Sequence, residues 1–189
     1  MEKNNFINSF DELNKEFDAL NGGCGNYCND CNRPDCEGFI WLLESEAALY
    51  ESKNINTITL NDDINFISCF NQDSDDLSLD IVNPKCIYRC EETKRCTIHD
   101  VRPLTCHMYP VGPETINGKD YWIVHTDCEW IQHLIKENKI EEFILSAKNL
   151  FNRIDGFLYS KLVLTYEKMN SISVETDMDD SEYLIISEM

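Results

Sequence analysis

Apolar and polar positions first fall into helical order between residues 9 and 20. In SFDELNKEFDAL, Phe10, Leu13, Phe17 and Leu20 share one face of a helix. Ser9, with Glu12 three residues on, forms a capping box, and Gly22 and Gly23 end the segment. The run FIWLLESEAALYE predicts a second helix over residues 39–51. The pattern then changes. INTITL (55–60) and NFISCF (65–70) are rich in β-branched and aromatic residues and read as strands. NQDSDD (71–76) reads as a polar loop and SLDIV (78–82) as a further strand. Asn117-Gly118 before KDYWIVH predicts a hairpin. Beyond it, Trp130, Ile131, Leu134 and Ile135 suit a short helix. Asn138, supported by Glu141, starts a longer one. In that helix Ile140, Phe143, Ile144, Ala147, Phe151, Ile154 and Leu158 keep helical spacing, with Gly156 softening the middle. The plain meaning of such a stripe is core packing. Residues 171–189 hold six acidic residues and no Lys or Arg, which predicts a flexible acidic tail. Within it, YLII (183–186) is the part able to dock.

Composition narrows the function. The 189 residues suit one domain. The formal net charge of -19 argues against a nucleic-acid phosphate backbone or anionic lipid as partner and leaves room for a basic protein partner. No apolar run is long enough to cross a membrane. The opening MEKNNF has no basic region followed by an apolar one, so a cytoplasmic location is expected.

Ten cysteines are too sparse for a small disulfide scaffold, yet most of them cluster. In a reducing compartment, clustered thiols read as metal ligands or catalytic groups. The first region, CGNYCNDCNRPDC (24–36), has gaps of three, two and four residues between Cys24, Cys28, Cys31 and Cys36. The second contains Cys86, Cys90, Cys96 and Cys106, with Cys128 after the hairpin. Short spacings let a loop aim several sulfurs at one point, and four thiolates hold either zinc or an iron–sulfur cluster. Spacing alone does not choose between them. Five of the sixteen basic residues, Lys85, Arg89, Lys94, Arg95 and Arg102, fall among these thiols, where positive charge favours thiolate. The competing reading is a solvated basic loop.

Cys69 sits in an apolar strand-like run and reads as a core thiol. Cys90 fits either role. His107 beside Cys106 and His125 near Cys128 are able to ligate metal, but such residues more often stand outside the ligand set. The spacing of Cys24, Cys28 and Cys31 is that of radical S-adenosylmethionine enzymes. Asp30 precedes the third cysteine where those enzymes carry an aromatic residue, and the chain lacks an alternating βα pattern. A thiol nucleophile at Cys106-His107 rests only on adjacency.

The run CTIHDVRPLTCHMYP (96–110) resembles the C-x-I-Y-x-x-R-P-x-x-C-R-x-[FY]-P signature of the YkgJ-type cysteine-cluster proteins. These are described as zinc- or iron-chelating and in some cases as iron–sulfur oxidoreductases. Cys86 is similar to the family cysteine before the motif and Cys128 to the late one after it. The first cluster departs from the family's CxxCxxCC pattern. The likeness covers residues 24–130. It implies metal ligation by Cys24, Cys28, Cys31, Cys36, Cys86, Cys96, Cys106 and Cys128, in one site or two. The implied cofactor is a 4Fe-4S iron–sulfur cluster or zinc. The expected function is a redox or accessory metal-binding protein. The alternatives are a structural zinc module and a protein-modifying enzyme similar to the family's flagellin lysine N-methylase relatives, though no glycine-rich nucleotide loop is present. Arg102 and Pro103 read as loop architecture. The expected fold is a small α+β domain organised by metal, with short strands and cysteine-bearing loops between helices at both ends. The domain would run over 1–170, with its core at 24–130, C-terminal helices at 130–170 and the tail at 171–189.

Overall fold

A computed structural model describes residues 6–27, 40–55, 57–60, 64–67, 86, 88–171 and 182–189 of the chain. Helix α1 (Phe10–Leu20) begins where its cap predicts: the Ser9 hydroxyl accepts the Glu12 N–H at 3.2 Å. The returning bond slips by one residue, because the Glu12 carboxylate accepts the N–H of Asn8 at 2.9 Å. Leu13 and Phe17 are buried on the inner face.

The single helix expected over 39–51 is instead a short strand β1 (Trp41–Leu42) and a helix α2 (Glu44–Ser52). Leu43 is extended, and its N–H goes to the Glu46 carboxylate at 2.9 Å. The apolar run before it is buried on both sides, which suits a strand with two covered faces better than a one-faced helix. Strands β2 (Thr57–Leu60) and β3 (Ile64–Ile67) follow the sequence expectation. The loop at 71–76 and the strand at 78–82 lie outside the described residues. The first sheet is antiparallel with β3 central; Phe66 pairs with Trp41 on one side and Ile58 on the other.

A five-residue helix α3 (Leu104–Met108) leads into the hairpin of β4 (Val111–Ile116) and β5 (Lys119–His125). Asn117 and Gly118 both take positive φ, 53° and 76°, as a two-residue hairpin turn demands. The second sheet is completed by β6 (Tyr183–Glu188), antiparallel to β5. For residues 183–188 this corrects the expectation of a tail and of a helical C-terminal end; residues 172–181 lie outside the described residues. Residues 183–188 are a paired strand, with Ile186 buried, because the apolar run Tyr183–Ile186 finds the edge of β5 to pair with. The pairing is extended by Thr126 N–H to Glu182 O at 2.8 Å and Met189 N–H to Asp120 O at 3.0 Å.

After the hairpin come α4 (Glu129–Lys136), α5 (Ile140–Phe151) and α6 (Gly156–Asn170). The long helix predicted from Asn138 is thus two. Asn138, at φ 56°, closes α4 and does not cap α5. Asp155 caps α6 through the Phe157 N–H at 2.9 Å, so Gly156 opens a helix where a softened middle was expected. The break is held by Ile7, whose N–H and C=O bond Arg153 O and Asp155 N. The chain is therefore α+β, mixing helices with two antiparallel sheets. Among the described residues no helix is long and apolar enough to cross a membrane.

Two apolar clusters result. The larger joins α1, Trp41, Phe66, α3, Trp122, Cys128 and the last three helices. The smaller joins Ile40, Leu42, Ala47, Tyr50, Ile55, Ile67 and Cys86. Adjacent residues of β1 and of β3 alternate between them: Trp41 and Phe66 face one, Leu42 and Ile67 the other.

Candidate metal centre

Six of the ten cysteines fall among the described residues, none of these six in a disulfide, and they fall in two regions. The first lies where α1 meets α4. The carbonyl of Asn21, the residue after α1, accepts the Cys24 N–H at 2.8 Å, and a short helical turn Cys24–Asn26 follows. Cys128 is the residue before α4, buried in the larger cluster. The two thiols hydrogen-bond one another. The N–H groups of Trp130 and Ile131, at the start of α4, also point at the Cys128 sulfur, as does the Tyr109 hydroxyl. The bond from Cys24 leads these effects, which together overcome burial and pull the Cys128 thiol down to about 7.

Aromatic rings wall this pair. The Trp130 ring lies so close to Gly23 that a Cβ there would sit 2.4 Å from the indole. Tyr27 packs 5.6 Å from Trp130 and 5.4 Å from His133. Tyr109 stacks on His125 at 5.9 Å, and burial pushes the His125 imidazole toward its neutral form.

The second gathering surrounds Tyr50 in the smaller cluster. Cys86 is buried there, and Tyr88, Ile98, Val101 and Cys106 pack against it. The Cys86–Cys96 loop is tied by Arg89 N–H to Cys86 O at 3.1 Å, Cys90 N–H to Arg95 O at 2.9 Å and Thr97 N–H to Tyr88 O at 2.7 Å. Lys94, at φ 56°, turns the loop back. Cys106 lies on α3, opposite Leu104 and Met108. Tyr50 donates to Val101 O at 2.6 Å. Burial raises its hydroxyl pKa first, followed by the charges of Glu46, Cys106 and Cys96. Burial also pushes the Cys86 and Cys96 thiols up. Cys90 is half-buried, and its thiol is lowered by the Thr93 hydroxyl and by the Thr93 and Glu92 N–H groups.

The basic residues act less on the thiols than the sequence suggests. Arg102 lowers Cys96, but burial outweighs it. Its guanidinium is engaged by Asp18 of α1 and by the His99 ring. His107 Nδ1 meets the same Asp18 carboxylate at 2.7 Å, and burial leads the lowering of its pKa. Arg102 therefore does the architectural work expected of it, tying the motif loop to α1. Glu46 does likewise for α3, accepting the N–H groups of Leu43 and Leu104 at 2.9 and 2.7 Å.

Of the eight expected ligands, Cys24 and Cys128 are brought together, and Cys86, Cys96 and Cys106 share the surroundings of Tyr50. Cys28, Cys31 and Cys36 lie outside the described residues, as does Cys69. Among the described residues no group of three or more His, Cys, Asp or Glu side chains is placed to hold a metal ion. The Cys24–Cys128 pair nonetheless fits half of a thiolate site. Two ligands of a tetrahedral zinc, each at ~2.3 Å from the metal, stand about 3.8 Å apart, which is the reach of a thiol–thiol hydrogen bond. Sequence reasoning missed Tyr109, Tyr50, Asp18 and Glu46. Tyr109 had a signal, as the aromatic before Pro110 in the motif; the others had none, being ordinary helix residues.

Comparison with known proteins adds one relative of unassigned role. An uncharacterized protein of Methanocaldococcus jannaschii is 29% identical over 107 residues, 54% of this chain and 48% of that protein. The match thus spans about half the length of that relative. No family model matches the chain, and no solved structure matches it.

Proposed function

We propose that this chain is a metal-binding protein of the YkgJ-type cysteine-cluster kind, in which cysteine thiolates hold an iron–sulfur cluster or zinc and the metal helps organise the domain. The role is redox or accessory, in the cytoplasm, with a protein as partner. The observation that carries the reading is the Cys24–Cys128 pair. Two thiols far apart in sequence, each at the start of a helical turn, meet at the edge of the core, Cys128 buried and Cys24 half-buried, and Cys128 is pulled down to about 7. A packing thiol is normally pushed the other way by burial. Iron–sulfur is the favoured form, on the redox association of the resembled family.

The test is metal and acid-labile sulfide content with a visible spectrum, on protein purified without oxygen. Iron and sulfide in equal amounts, with broad absorbance near 400 nm, are expected for cysteine-held clusters. Zinc without sulfide or colour would convert the reading to a structural zinc module. Absence of any metal, with all thiols open to alkylation, would sink it.

A further inference from the structure

Cys24 and Cys128 are two thiols in hydrogen-bond contact, one just after α1 and the other just before α4. Their surroundings set them apart. Cys128 is buried, and its sulfur is held by the Trp130 and Ile131 N–H groups and by the Tyr109 hydroxyl. Cys24 is half-buried and opens the turn Cys24–Asn26, with Gly23 before it and Gly25 after it. A Cβ at Gly25 would meet nothing within 4 Å, so the turn has open space on that side. Solvent thus reaches one member of the pair and not the other. The approach is narrow, because the Trp130 ring lies against Gly23 and Tyr27 packs on Trp130 at 5.6 Å.

We propose that Cys24 and Cys128 are a peroxide-reactive dithiol that closes into a reversible disulfide. A disulfide needs two sulfurs that face one another, and thiols already in hydrogen-bond contact meet that need. The step from contact to bond falls on Cys24, whose turn has room to move, while Cys128 is fixed by its donors. The oxidant is a hydroperoxide, small enough for the narrow approach. The Cys24 sulfur attacks its terminal oxygen, the O–O bond breaks, and the thiol proton leaves with the other oxygen as an alcohol, or as water from hydrogen peroxide. Cys24 is then a sulfenic acid. The Cys128 sulfur attacks the Cys24 sulfur, the S–S bond forms, the S–O bond breaks, and the hydroxide leaves as water with the Cys128 proton. The two thiols lose two electrons and the peroxide gains them. This activity goes beyond metal binding and does not depend on it. It does bear on it: a sulfur in a disulfide is no thiolate ligand, so closure and metal ligation at this pair exclude one another.

The experiment treats the whole chain, reduced and purified without oxygen, with a small excess of hydrogen peroxide. A second sample is first stripped by a chelator. Remaining thiols are alkylated, the chain is digested without reduction, and the peptides are mapped by mass spectrometry. In the stripped sample Cys24 and Cys128 are expected to lose alkylation together and to appear as one linked peptide pair that dithiothreitol separates. Cys86, Cys96 and Cys106 are expected to stay open to alkylation. Cys24 and Cys128 both left open, or either linked to a different cysteine, overturns the proposal. In Cys128→Ala, Cys24 is expected to stop at the sulfenic acid and to be captured by dimedone. Capture at Cys24 in the wild type equal to that in the variant means that Cys128 does not resolve it, and also overturns the proposal. Linkage in a chain that purifies without metal upholds the dithiol while the metal reading falls; a metal-loaded chain whose stripped form never links does the reverse.

Discussion

Cys128 and Cys86 are almost equally buried, at 3% and 7% exposure, yet their thiols are pushed in opposite directions. Cys128 gathers a thiol neighbour, two helix-start N–H groups and a tyrosine hydroxyl, and these favour the thiolate. Cys86 has the N–H groups of Tyr88 and Arg89 only, and burial prevails. Depth alone therefore does not set the character of a buried thiol; the donors aimed at it do. The Cys128 thiol is the easier of the two to ionise near neutral pH.

The widest test of that contrast removes the core beneath the first region. Trp122 is wholly buried, stacks on Phe151 at 4.4 Å and donates to Tyr159 at 3.0 Å. Trp122→Ala should cost about 3–5 kcal/mol, read by chemical denaturation, because the void cannot fully collapse. A loss under 1 kcal/mol would mean that the core does not depend on this ring.

Glu46→Ala acts on the second region. It strips the partners from the Leu43 and Leu104 N–H groups, at a cost of up to about 3 kcal/mol. Faster alkylation of Cys106 than of Cys128 in the variant would mark the damage as local. Equal acceleration of both would erase the distinction between the regions.

Gly23→Ala acts on the first. Its Cβ would meet the Trp130 ring at 2.4 Å, and displacing that ring should cost about 2 kcal/mol and alter tryptophan fluorescence. An unchanged spectrum would show that the ring is not held there.

Acid should weaken the first region through His125. Burial places its folded pKa below the unfolded value of about 6.5. The unfolded chain then binds the proton more readily, so stability is full above about pH 6.5 and falls as pH drops below it toward the folded value. His107 is lowered too and adds a slope of the same sign. Unfolding midpoints measured from pH 8 to 5 should fall, less steeply in His125→Gln; an identical slope in that variant would remove His125 from the account.

Ser9→Ala should have the smallest effect, about 1 kcal/mol from the lost cap of α1. It touches neither thiol region, so a change in the reactivity of Cys86 or Cys106 would show that α1 governs both through the Asp18–Arg102 contact.

Local signals were legible wherever one short segment settles the outcome. The cap at Ser9, the hairpin at Asn117-Gly118 and the helix after Cys128 each follow from a few adjacent residues. Three expectations failed where a distant partner intervenes. Trp41 and Leu42 form a strand because β3 pairs with them. The helix expected across 152–155 breaks because Ile7 bonds Arg153 and Asp155. The acidic C-terminus is a strand because β5 offers it an edge. The candidate site divides the same way. Its cysteines stand out by spacing, while Tyr109, Tyr50 and Glu46 become visible only once the chain is folded around them.

Residue order alone settles that this chain is rich in clustered thiols, acidic, and built of helices with short strands between. It settles those things because charge, thiol spacing and periodicity are properties of neighbours. Which thiols share an environment is another matter. Cys24 meets Cys128 because α1 and α4 pack on one core, and Cys106 is turned from them because α3 presents its other face to that core. Long-range packing chose those faces, and no short stretch of the sequence encodes the choice.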